Sequence, residues 1–280
     1  MVTKGRVVLA LALCACFSYS SFAGTLFIGT DMEDFGGGCP GCPAGAVDRL
    51  GKTTVTGATV NVSTVLYLNQ FLNGLGDGTG FLYAGQAVTN HINEIDYNGN
   101  FIGAGFNAAI PGAGTCCNEE LQLVGNVLYH AHYNTEIERL DPVTGAAVAP
   151  PLPQTDVVGM ANVAGQVWIS KWAGKSVGRW DPATNIYTPV FSTPNLAGGI
   201  AFDPDSNILW VGMAGGSVVP YTLAGVALNA GFKPFGDIND TIDGLTFLGE
   251  GRQATVPEPA TMLLLGSGLL GAMRLRKRKA

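Results

Sequence analysis

The chain has 280 residues, of which 47% are hydrophobic and 13% charged, with 40 glycines and a net charge of −6. The charge is unevenly placed: two bases fall in the first six residues and five in the last seven, so the part between holds eight bases against all 21 acids, a net of −13. So acidic a body excludes nucleic acid and anionic lipid as partners of the folded part.

Lys4 and Arg6 precede an apolar run from Val7 to Phe17, and Ser21-Phe22-Ala23 supplies a small-x-small pattern. This predicts a secretory signal peptide over 1–23, cut by signal peptidase between Ala23 and Gly24. Leu13-Cys14-Ala15-Cys16 offers a lipobox-like alternative, for which Cys14 is a poor fit.

The body, 24–250, has no long amphipathic helical pattern. Short β-rich runs alternate with Gly, Asn, Asp and Pro, which predicts many short strands. It is also self-similar. Ile137-Glu-Arg-Leu-Asp-Pro-Val-Thr-Gly145 aligns with Val177-Gly-Arg-Trp-Asp-Pro-Ala-Thr-Asn185 at a shift of 40. One apolar column reads Val47, Ile92, Ile137, Val177, Val218, at intervals of 45, 45, 40 and 41 residues. A second reads Leu50, Ile95, Leu140, Trp180, Tyr221. An earlier strand precedes each column at Thr25–Gly29, Phe81–Gly85, Val127–Ala131, Val167–Lys171 and Ile208–Gly212. Glu120–Leu123, Gly159–Val163, Gly199–Phe202 and Gly244–Phe247 fill a first-strand slot, and a fourth strand follows each Asp-Pro-x-Thr turn, as at Ala146–Ala149 and Tyr187–Phe191.

Four strands per repeat over five repeats predict an all-β fold, a five-bladed β-propeller with four-stranded blades. Asp243–Phe247 reads as a first strand without a second, and Thr25–Gly29 as a second without a first. Their pairing would close blade 1 from the N- and C-terminal strands and leave no open seam. The alternative is a six- or seven-bladed ring with Val60–Gly80 as a partial extra blade. The Asp-Pro-x-Thr-Gly turn resembles those of quinoprotein-like and streptogramin-lyase-like propeller repeats. It is structural, since Asp caps the turn, Pro fixes φ and Gly supplies a positive φ.

Cys39, Cys42, Cys116 and Cys117 remain in the body, and an exported setting favours disulfides. Four cysteines allow three connectivities, and pairing between the two clusters avoids a strained bond between neighbours. Asp31, Glu33, Asp34, His91, Asp156 and Asp240 are expected in connections at one end of the ring, a candidate ligand face. They match no complete calcium loop. His130 and His132 alternate on one strand and point the same way, which makes them weak metal candidates without an evident third ligand. No metal or cofactor is assigned. No nucleophile triad, phosphate loop or nucleotide fingerprint is present.

The last 25 residues have three parts: Val256-Pro257-Glu258-Pro259, an apolar run over 260–273, and Arg274, Arg276, Lys277, Arg278 and Lys279. Pro257 and Pro259 keep the linker 251–259 extended, while a helix over the 14 uncharged residues would reach about 21 Å against a hydrocarbon core of roughly 30 Å. The basic end holds its side in the cytoplasm. An ordinary membrane anchor is the plainer alternative. These residues resemble the PEP-CTERM sorting tail. The resemblance implies a transmembrane sorting helix at 260–280, a processing site at Val256, Pro257, Glu258 and Pro259, and an exosortase, a membrane cysteine transpeptidase, as partner. It also implies export across the inner membrane, a membrane-tethered precursor, and final placement at the cell surface or outside the cell, often with extracellular polysaccharide. The expected function is a non-catalytic binding propeller for polysaccharide, protein or a cation. An extracellular glycan lyase or hydrolase using His91, His130 or His132 is the alternative.

Overall fold

The computed structural model describes residues 23–30, 48–70, 72–86, 89–108, 118–133, 135–236 and 241–250. In chain order these form β1 (Gly24–Gly29), β2 (Asp48–Thr56) and β3 (Thr59–Leu68). Next come β4 (Leu72–Asp77), β5 (Leu82–Gln86), β6 (His91–Ile95) and β7 (Phe106–Asn107), followed by β8 (Asn118–Val124), β9 (Val127–His132), β10 (Glu136–Leu140) and β11 (Ala147–Leu152). The chain continues through β12 (Val157–Val163), β13 (Gln166–Lys171), β14 (Ser176–Asp181) and β15 (Ile186–Ser192), then β16 (Ala197–Asp203), β17 (Ile208–Met213), β18 (Ser217–Thr222) and β19 (Gly244–Phe247).

These strands make five antiparallel sheets: β19-β1-β2-β3, β4 to β7, β8 to β11, β12 to β15 and β16 to β18. The inner strands touch in a closed cycle, β19 to β4 to β8 to β12 to β16 and back to β19. The architecture is therefore a five-bladed β-propeller. The seam expected from the sequence is present, with Leu26 opposite Phe247 and Gly29 opposite Gly244. The Val60–Gly80 stretch divides between the last strand of blade 1 and the first of blade 2, so no partial sixth blade arises.

Alternation places successive side chains on opposite faces of a blade, and both faces meet a neighbour. The inner strands are therefore buried along their length, as in β12, β16 and β17. Five apolar clusters fill the five junctions between blades. One example joins Leu26, Ile28 and Phe247 of blade 1 to Trp210 and Val218 of blade 5, and another joins Leu121, Leu128 and Leu140 of blade 3 to Tyr83 and Ile92 of blade 2. Each fully buried Leu, Ile or Phe contributes roughly 1.5–3 kcal/mol, so the junctions carry the stability.

The expectation of four strands in every blade fails in blade 5. There β18 is followed only by isolated bridges, Tyr221 to Ala227 and Val218 to Phe232. The Pro220 carbonyl faces outward and accepts from Leu228 N, but proline has no N–H to return. Gly225 and Gly231, at φ +82° and +76°, bend the chain away from a regular ladder.

Two buried carboxylates fasten the ring near its axis. Glu120, on β8, accepts from Leu75 N on β4 at 2.9 Å and from Leu245 N on β19 at 3.1 Å. Glu250, just past β19, accepts from Asn162 N on β12 at 2.7 Å, from Phe247 N at 3.1 Å, and from the backbone of Phe202 on β16. Each links blades far apart in sequence. Burial pushes both carboxyl groups well above the ordinary glutamate range, partly offset by these N–H donors.

Residues 1–22 of the signal peptide expected over 1–23, the linker expected over 251–259 and the sorting helix expected over 260–280 lie outside the described residues. Among the described residues no helix is long and apolar enough to cross a membrane.

Candidate functional site

Two of the predicted site residues are brought together, and a third side chain joins them. His130 and His132 project from the same face of β9, and β10 pairs with β9 in unbroken register, with Glu138 opposite His130. The turn between these strands therefore delivers a carboxylate to the two imidazoles. His130 Nδ1 lies 2.9 Å and His132 Nε2 3.3 Å from Glu138 Oε2, and the rings are 4.4 Å apart at 60°. All three are buried, at 0%, 4% and 4% exposure. Leu128 and Leu140, two residues along on the same faces, pack against blade 2, so the triad also faces the junction of blades 2 and 3.

Burial pushes the His130 imidazole down to about 4, against the pull of Glu138. Burial also raises Glu138, but the hydrogen bonds from His130 and His132 outweigh it and leave that carboxyl below the ordinary range. A neutral imidazole beside a carboxylate results, and His130 Nε2 has no partner. Among the described residues this is the one grouping of three His, Cys, Asp or Glu side chains with ligand atoms within 4.8 Å of one another. Sequence reading found the two histidines but not Glu138. The signal was the hairpin register, which sets position 138 across from 130.

Of the expected ligand face, His91 and Asp156 are described. His91 opens β6 in blade 2 and has Nδ1 2.9 Å from Asn107 Oδ1. Asp156 lies between blades 3 and 4, where its carboxylate accepts from Ala173 N at 2.7 Å and Gly174 N at 3.2 Å. It serves the turn after β13. Ala23 precedes β1, and Gly24 is the first paired residue, opposite Val55. Asp31, Glu33, Asp34, Asp240, Cys39, Cys42, Cys116, Cys117 and the motif Val256, Pro257, Glu258, Pro259 lie outside the described residues.

Trp168, Trp180 and Trp210 are core residues, at 1%, 2% and 0% exposure. At the end of the ring opposite His132, the hairpins of blades 3 and 4 frame a groove of 680 Å³. Tyr129 and Ile186 form apolar walls, and Gln166, Arg179, Thr184 and Thr188 bring polar groups to its lining. Arg179 is exposed, with its guanidinium 5.6 Å from the Trp168 ring centre.

Residues 255–279 of the chain match the PEP-CTERM protein-sorting motif. That motif marks an exported protein sorted by an exosortase. No curated protein matches the chain. Among solved structures it is similar to a chain in the crystal structure of a nidogen/laminin complex, at 12% identity and TM-score 0.53, covering 81% of this chain and 98% of that one. It is also similar to Myxococcus xanthus glutaminyl cyclase, at 17% identity and TM-score 0.45, covering 59% of this chain and 76% of that one. The first likeness is one of fold.

Proposed function

We propose that this chain is an exported, non-catalytic polysaccharide-binding propeller, held at the membrane by its tail and then placed at the cell surface or in the matrix by an exosortase. The observation that carries the reading is the groove between blades 3 and 4 on a body that bears a sorting motif. Its volume suits a few sugar units, and hydroxyls suit the Gln166, Arg179, Thr184 and Thr188 side chains against the Tyr129 wall. The lining contains one acid, Asp181, whose carboxylate accepts from Ala183 N at 2.9 Å and the Thr184 hydroxyl at 2.7 Å. Glycoside cleavage uses two carboxyl groups flanking the bond, so the groove favours binding over hydrolysis.

The test is binding of the purified chain to glycan arrays and to matrix from the producing cells. Retention by a polysaccharide, weakened about tenfold or more by Arg179→Ala, is expected. Loss of the guanidinium with no change in retention, or no retention on either surface, counts against the proposal. Fractionation of cells with and without the exosortase checks the sorting half. The chain should accumulate in the membrane without the enzyme, and mass spectrometry of the released form should show a C-terminus near Pro257–Pro259.

A further inference from the structure

We propose that His130, His132 and Glu138 bind one divalent first-row transition-metal ion, with zinc as the type. The site is built into the face of blade 3 that meets blade 2, whereas the groove lies on the blade 4 side, and it does not depend on the polysaccharide reading.

Spacing supports it first. Tetrahedral zinc with bonds of 2.0–2.1 Å sets neighbouring ligand atoms about 3.3 Å apart. The two nitrogen-to-carboxylate distances are 2.9 and 3.3 Å, and the three ligand atoms all lie within 4.8 Å of one another. Small rotations of the side chains open room for an ion without moving a strand. Rigidity supports it second. The ligands sit on β9 and β10, whose pairing runs without a slip from Glu136 opposite His132 to Leu140 opposite Leu128.

The donor set selects the ion. Two imidazole nitrogens exclude calcium and magnesium, which take oxygen ligands, and suit zinc, copper or nickel. Three protein ligands leave a fourth position for water. With exposures of 0–4% the ion would have a structural role, pinning β9 to β10 beside the junction with blade 2.

The experiment uses the full chain, purified in mild detergent, stripped with chelator and then given zinc alone. One zinc per chain should survive gel filtration, and the melting temperature should rise by several degrees with zinc but not with calcium or magnesium. Cobalt in place of zinc should give the visible bands of a low-coordinate nitrogen and oxygen site. His132→Gln and Glu138→Gln should each lose more affinity than the roughly 10–100-fold that loss of an outer partner costs. If either variant fails to fold, zinc stoichiometry and the cobalt spectrum of the wild-type chain decide. Substoichiometric zinc on a wild-type chain that melts cooperatively overturns the proposal. Zinc held equally well by both folded variants also overturns it, because the ion would then sit elsewhere, as at the cysteines.

Discussion

Glu120 shows how much a single side chain can hold. Its two oxygens receive N–H groups from blades 1 and 2 while its backbone belongs to blade 3. Glu120→Ala strands two buried N–H donors, each costing roughly 1–3 kcal/mol, so chemical denaturation should show a loss of about 2–6 kcal/mol. The carboxyl also makes stability depend on pH. Its folded-state pKa is raised, so its contribution is whole below the ordinary value of 4.5 and is lost as pH climbs through the folded value. Glu250, with Asp77 beside it, acts in the same direction. His130, lowered by burial, acts in the opposite one, with a contribution present above 6.5 and lost as pH falls toward about 4. Comparing variants separates them. The melting temperature of Glu120→Gln should lie below wild type by a margin that shrinks from pH 5 to pH 8. A margin that stays constant over this range would show that Glu120 is ionised throughout. None of this was legible in the sequence, because the partners of Glu120 lie 45 and 125 residues away and only ring closure brings them within reach.

At the scale of strands and turns the sequence was far more readable. The Asp-Pro-x-Thr turns behave as their chemistry requires. Asp141 accepts from Val143 N, Thr144 N and the Thr144 hydroxyl, and Gly145 takes φ +69°. In the next blade Asn185 takes the same role at φ +58° and adds a bond from the Trp180 indole at 3.0 Å. Gly145 has a second constraint that the motif does not reveal, since a Cβ there would come within 2.3 Å of the Phe106 ring of blade 2. Gly145→Ala should therefore cost about 1–3 kcal/mol, visible as a lower denaturation midpoint with an unchanged slope. Asn185→Gly relieves the backbone but orphans the buried indole, so a smaller loss of about 1 kcal/mol is expected. The columns of the repeat located the second and third strands because those positions are buried on both faces. The outer strands were less distinct, since exposure relaxes their pattern, and in blade 5 Pro220 removes an N–H from the edge that a regular outer strand would pair with. Glu138 was hidden for a related reason, as a polar position between the two conserved-looking columns of one motif.

For the molecule as a whole, the pairing of β1 with β19 converts a row of sheets into a ring. The first and last strands share one blade, so unfolding any junction opens the seam and a single cooperative transition is expected. Two truncations test the point. A chain ending at Ala254 keeps β19 and Glu250 and should melt within a few degrees of the full chain. One ending at Asp243 loses the strand and the carboxylate together, exposes the β1 and β16 inner faces, and should show no cooperative transition by circular dichroism or calorimetry. A cooperative melt from the shorter chain would mean that the ring is stable while open.

The seam also sets the order in which the ring can close. β1 is the earliest strand of the body in the chain and its inner partner β19 the last, and Glu250 follows that partner by only three residues. The pairing that completes the ring is therefore also the most distant in sequence, so its loop-closure cost falls on the final step of assembly and nearly the whole body must be present before it is met.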